Sequence, residues 1–241
     1  MKKDLRSQPG FTFSFFITGI ILSLFLTSCY VYVPNVINAP LLSNKGEVQA
    51  NLNIGESGFD PQISAAVSDY VGVMVNGSFR FNNNNSTTGE IHNFVEAGAG
   101  YYTKFENIGR FEIYGGAGVG NLTANNANFW TSTEPEIHVK TFRLFLQPDI
   151  GVKTNYFEAS FAPRLVLLNL DMGRENSTNF FIEPAITVKG GAKNIKIVFQ
   201  AGCSIPTGMY YDNFYDPLIM SVRIQGTFGR KTEKAKPTVN Q

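Results

Sequence analysis

Residues 71–81 read VGVMVNGSFRF. Val71, Val73, Val75, Phe79 and Phe81 fall on one side of a two-residue period, with Gly77 among them. Met74, Asn76, Ser78 and Arg80 fall on the other. Successive side chains of an extended chain point to opposite faces, so the stretch specifies a strand with one apolar and one largely polar face. The pattern recurs. Val48, Ala50, Leu52 and Ile54 oppose Glu47, Gln49, Asn51 and Asn53. Phe142, Leu144, Leu146, Ile150 and Val152 oppose Arg143, Gln147, Asp149 and Lys153. Leu218, Met220, Val222, Ile224 and Phe228 oppose Ser221, Arg223, Gln225 and Thr227. About ten such segments run near 46–54, 59–67, 71–81, 91–105, 110–121, 140–153, 156–168, 180–189, 195–204 and 218–228. Pro148 lacks a ladder donor, so a bulge or local break is expected there.

The connections alternate in length. Ser68–Tyr70, Glu106–Gly109, Thr154–Asn155 and Gly190–Asn194 are short, whereas Asn82–Glu90, Thr123–Val139, Leu170–Asn179 and Ile205–Pro217 are long and polar. Only the first connection, Gly55–Gly58, departs from this order. Such alternation gathers the long loops at one end, and the expected fold is all-β: an up-and-down antiparallel β-barrel of about ten strands.

An alternating strand does not say which face meets which solvent. In a soluble barrel or sandwich the apolar face points inward. In an outer-membrane barrel it faces lipid and the polar face lines the lumen. Loop alternation favours the second reading, as do Tyr70, Phe105, Phe111, Tyr156 and Phe228 beside short turns, where an aromatic girdle would sit.

The N-terminus carries its own signal. Lys2, Lys3 and Arg6 precede Phe11–Leu26, an apolar run of 16 residues without charge. This is short for a membrane-spanning helix and suits a secretory signal. Leu26-Thr27-Ser28-Cys29 then resembles the lipobox of bacterial lipoproteins, which implies cleavage between Ser28 and Cys29 and lipidation of Cys29. The expected organisation is a signal peptide over 1–28, a lipidated tether over 29–45, the barrel over 46–228 and a disordered basic tail over 229–241. An even strand number would put both termini on the short-turn, periplasmic side. Without the signal peptide the charge is close to neutral, which gives no argument for a nucleic-acid partner. Cys203 is the one other cysteine, so no disulfide framework exists.

The polar strand faces carry a balanced set of charges, Glu47, Arg80, Glu96, Lys104, Glu112, Arg143, Asp149, Glu158, Arg164, Glu183, Lys196 and Arg223, together with Asp60 and Lys189. Inside a narrow barrel such groups must pair, because an isolated buried charge is very costly. A lumen closed by salt bridges is therefore expected, with a charged selective pore as the alternative. Catalysis is not expected. His92 and His138 are the only histidines, and neither G-x-S-x-G nor H-E-x-x-H occurs. No spacing suggests a metal site and no cofactor is implied. The loop Tyr210–Asp216 (YYDNFYD) reads equally as a binding surface or as an aromatic belt.

Over residues 46–228 the arrangement resembles small outer-membrane barrels of the OmpA/OmpX type. The lipobox, Y-V-P-N-x-x-N-A-P-L-L and K-G-E-V-Q-A are similar to lipoproteins of Bacteroidota. These resemblances imply an outer-membrane barrel, anchored by lipid at Cys29, with a structural role or an extracellular ligand met by the long loops. The competing readings are a soluble lipid-tethered β-domain holding a small ligand, a small porin, and an outer-membrane hydrolase or lipid A-modifying enzyme. The lipid anchor and the tail beyond Phe228 depart from the OmpA type.

Overall fold

The computed structural model describes residues 32–55, 57–80, 91–125, 136–173, 176–207 and 215–229. The signal segment, Cys29, the loop asparagines 82–85, most of the loop 210–216 and the tail beyond 229 lie outside the described residues. The strands are β1 (Val48–Gly55), β2 (Gly58–Ala66), β3 (Val71–Arg80), β4 (Ile91–Phe105), β5 (Gly109–Asn125), β6 (Glu136–Lys153), β7 (Phe157–Asp171), β8 (Asn176–Gly191), β9 (Ile195–Cys203), β10 (Ile205–Pro206) and β11 (Leu218–Phe228). Each pairs antiparallel with its neighbour in sequence from β1 to β9, while β11 joins β9 to β1. The sheet therefore closes as a ten-stranded barrel, with β10 as one extra short strand on β8.

β10 continues the line of β9. The β8–β9 register ends at Ala185↔Gly202 and resumes as Ile182↔Ile205. The gap faces Pro184, which has no N–H to give. Pro148 acts similarly. The β6–β7 ladder stops after Leu146↔Leu165 and resumes at Ile150↔Phe161 in the same register. The proline produces a break without a bulge, since Pro163 falls opposite it and neither residue can donate.

Strands β5 to β8 are longer than their periodicity indicated, at 15 to 18 residues, and β1 and β2 are only 8 and 9. The extra length comes from ends read in sequence as loop: Thr123–Asn125, Glu136–Val139 and Asn176–Asn179 all pair. Their polar residues hide the period, but hydrogen bonding to a neighbouring strand does not require it. The barrel rim is consequently uneven, high along β5–β8 and low along β1, β2, β9 and β11.

The two faces separate sharply. Outward apolar side chains stay exposed, among them Ile54 at 73%, Leu52 at 59% and Phe228 at 63%. Inward polar side chains, such as Gln49, Asn53, Glu112 and Arg143, are fully buried. Near the short turns Tyr70 stacks on Tyr101 with 5.9 Å between ring centres, and Tyr156 and Phe157 are exposed. Inward glycines on β4 and β5 make room for aromatic side chains. A Cβ on Gly116 would lie 2.5 Å from the Phe145 ring, and one on Gly100 would lie 2.7 Å from Tyr114.

Candidate functional site

The barrel interior is occupied by its own N-terminal segment. Residues 32–43, expected to belong to a tether outside the barrel, are buried throughout. The strands do begin and end at the short-turn end, where Gly46 bonds to Ala66 and Gly229 approaches Gly46. From there the chain ahead of β1 turns inward and crosses the lumen to the opposite mouth. Tyr32 bridges Tyr215 in parallel, and its carbonyl accepts from the Asp216 amide at 2.8 Å.

This path follows from the polar faces of the strands. A segment without regular structure leaves its backbone groups unpaired, and once buried inside a barrel each must find a partner. The inward side chains supply them. Arg164 donates to the Asn35 carbonyl at 2.9 Å and Gln62 to that of Val36 at 2.8 Å. The Gln200 amide accepts from Ile37 N–H at 2.8 Å and donates to its carbonyl at 2.9 Å, as a paired strand would. Asn38 donates to Ser64 and Asn76, while Gln147 donates to the Asn38 carbonyl. Lys189 reaches the Ala39 carbonyl at 2.7 Å. The amides of Leu41 and Leu42 donate to the two oxygens of Glu112, at 2.9 and 2.5 Å, and Lys153 holds the Leu41 carbonyl at 2.7 Å. Leu41 has φ +52°, a conformation costly for a branched side chain, and these bonds on both sides hold it there. Arg110 finishes the series on Ser43.

Two ion clusters surround the segment. Nearer the long loops, Glu96 pairs with Arg143 and, at 3.5 Å, with Arg164, which also pairs with Glu183 at 2.6 Å. Arg143 stacks on Phe94 at 4.1 Å and donates to the Tyr32 hydroxyl, which donates to Glu183. Nearer the short turns, Glu158 meets Lys196 at 2.9 Å, Lys189 at 3.1 Å and Lys153 at 3.9 Å, and Lys153 also pairs with Glu47 at 2.6 Å. Burial pushes the Glu47 carboxyl upward, but the Lys153 ammonium and bonds from Gln49 and Ser43 outweigh it and hold it below the ordinary glutamate range.

Of the charges singled out from sequence, Glu47, Glu96, Arg143, Glu158, Arg164, Glu183 and Lys196 join these clusters. Glu112 serves the segment's amides instead, with Asp149 beside it across the β5–β6 ladder. Arg223 lies buried against the Ile37 carbonyl, Asn53 and Gln62. Arg80 is half-buried at the end of β3. Lys104 is exposed and bonds to Asn44, outside the lumen, because β4 runs past the barrel's short-turn rim there. Sequence reasoning missed Tyr32–Ser43 and Arg110 as parts of the interior, and it placed Lys153 on the polar face without counting it among the lumen charges. The signal was present: residues 30–44 contain no charge, which is unusual for a solvated tether.

The two histidines lie on opposite faces of the wall, His92 buried in the lumen and His138 exposed on β6 beside Thr123. Asp60, one of the polar-face charges, is buried against Ser57 at 2.5 Å. Among the described residues no cluster of three or more His, Cys, Asp or Glu has the arrangement of a metal site. The sequence matches no protein-family model and none of the curated proteins.

Proposed function

We propose that this chain is a lipid-anchored outer-membrane β-barrel whose lumen is closed by its own N-terminal segment, and which acts through structure or through its long loops. The observation that carries the reading is the inverted distribution of polarity. Exposed Leu, Ile, Val and Phe cover the outer wall, while Arg, Lys, Glu, Gln and Asn fill the interior. Contiguous apolar surface on this scale is a liability in water and a match for hydrocarbon. The short-turn aromatics suit one membrane interface.

Two of the competing readings meet an occupied lumen. A small ligand would need the lumen, which residues 32–43 occupy. An open porin would need a continuous aqueous path, which the buried ion clusters and the segment interrupt.

The test separates membrane from soluble behaviour. Cys29→Ser, exported by an ordinary cleavable signal, is expected to need detergent for extraction and to run with heat-modifiable mobility on a gel. In planar bilayers the purified barrel is expected to be silent. A C29S protein released in soluble form without detergent would overturn the reading.

A further inference from the structure

We infer that the lipid on Cys29 leaves the barrel at the long-loop mouth and lies in an apolar groove on the outer wall over β8, β9, β11 and β1. The inference rests on the lipidated-barrel reading above and assigns the side and seat of the anchor.

The direction of the chain carries the first part. Ser43 lies with Glu47 and Arg110 at the short-turn end, and Tyr32 lies with Tyr215 and Asp216 at the other. Cys29 is three residues before Tyr32, and three extended residues reach about 10 Å. The apolar band of such a barrel is about 25 Å tall. The interior between the two mouths is filled. A lipid on Cys29 therefore cannot return to the short-turn side. With long loops facing outward, as in barrels of this kind, it lies in the outer leaflet.

The uneven rim carries the second. Tyr32 meets the chain just ahead of β11, on the low side formed by β1, β9 and β11. There the wall ends at Gly55 and Leu218, whereas β8 continues to Asn176. Directly below this rim the outer wall holds a depression of about 490 Å³, lined by Ile54, Ile186, Val188, Phe199, Met220 and Val222. Gly55 and Ala201 contribute little side-chain bulk to it. Acyl chains leaving over the low rim meet this concave, apolar strip first, and burying methylenes there follows the same transfer energetics as burying them in lipid.

The experiment uses the full chain, labelled in cells with a fatty acid bearing a diazirine and an alkyne. After irradiation, intramolecular crosslinks are expected on peptides containing Phe199 or Met220, at least fivefold above those on β4 or the short turns. In parallel, epitopes are placed between Tyr30 and Val31, within residues 82–90, and after Gln241. Antibody is expected to reach the first two on intact cells and the third only after permeabilisation.

Crosslinks confined to β4, β5 or the short turns would overturn the groove. An N-terminal epitope read only after permeabilisation, with the loop epitope read on intact cells, would overturn the threading while leaving the barrel in place. Absence of fatty-acid label on Cys29 would instead overturn the lipoprotein reading. Because an inserted epitope can block folding, Tyr32→Cys with Tyr215→Cys in a Cys203→Ser background serves as the second variant. Its disulfide forms only if the segment is threaded as described, and its absence in a folded, heat-modifiable barrel would overturn the inference.

Discussion

In the half of the lumen nearest the long loops, Tyr32 packs against Phe181 and Tyr215, within an apolar cluster that includes Leu122, Val166 and Leu168. The charges beneath it, Arg143, Arg164, Glu96 and Glu183, balance in number and bond mainly to one another. In the half nearest the short turns, three lysines converge on Glu158, and two of them spend their remaining donors on carbonyls of Ala39, Pro40 and Leu41. The difference follows from side-chain chemistry. A guanidinium is planar, and its fork matches carboxylates and stacks on rings, whereas an ammonium is a compact charge that accepts any oxygen within reach. The arginine half is a wall-to-wall network with the segment capping it. The lysine half is a clamp that includes the segment's backbone.

The largest test of this contrast is removal of the segment. Deleting residues 32–43, with Lys45 and β1 retained, leaves Glu112 without the Leu41 and Leu42 amides and Gln200 without Ile37, and takes from Lys153 and Lys189 the carbonyls they bond. Buried groups left in this way each cost about 1–3 kcal/mol, and more when charged. The folded, heat-modifiable form is expected to disappear. A deletion variant that still folded and conducted ions in a bilayer would mean that the wall closes on its own chemistry.

A smaller and sharper test compares two carboxylates. Glu158→Gln leaves the buried Lys189 and Lys196 without their carboxylate and Lys153 on Glu47 alone, and breaking buried pairs in this way costs about 3–5 kcal/mol. Glu96→Gln leaves Arg164 on Glu183 and Arg143 on Tyr32 and Phe94, so a loss of about 1–3 kcal/mol is expected. Urea midpoints in detergent micelles measure both. Equal losses would erase the distinction between network and clamp.

The smallest effect concerns acid. The Glu47 carboxyl is held below its ordinary range, so its contribution to stability is present above the unfolded value and is lost as pH falls through the folded one. Between pH 5 and pH 3 the wild-type urea midpoint should fall more steeply than that of Glu47→Gln. Parallel slopes would remove Glu47 from the lower clamp.

How far the sequence could be read depended on where the physical constraint was local. Period two in 71–81 and 218–228 announced strands because every second side chain meets a different solvent. The loop order announced an up-and-down arrangement of antiparallel neighbours. The paired ends of β5–β8 were hidden, since Thr123–Asn125 and Asn176–Asn179 carry no apolar period and are held by neighbouring strands. Among the inward charges, the list of candidates was legible from alternation, but their partners were not. Lys153 and Glu47 stand 106 positions apart and meet only because the barrel closes.

The sequence by itself determined that the chain forms about ten two-faced strands and that its polar faces hold balanced charge. Only the tertiary structure decided what fills the interior. The prolines and lack of period in residues 30–45 say that this stretch is neither helix nor strand, and that description suits an exposed tether and a buried plug equally. The choice is made by Gln200, Lys189, Glu112 and their neighbours, which present donors and acceptors toward the axis once the sheet has closed. An unstructured backbone satisfies them, and they satisfy it.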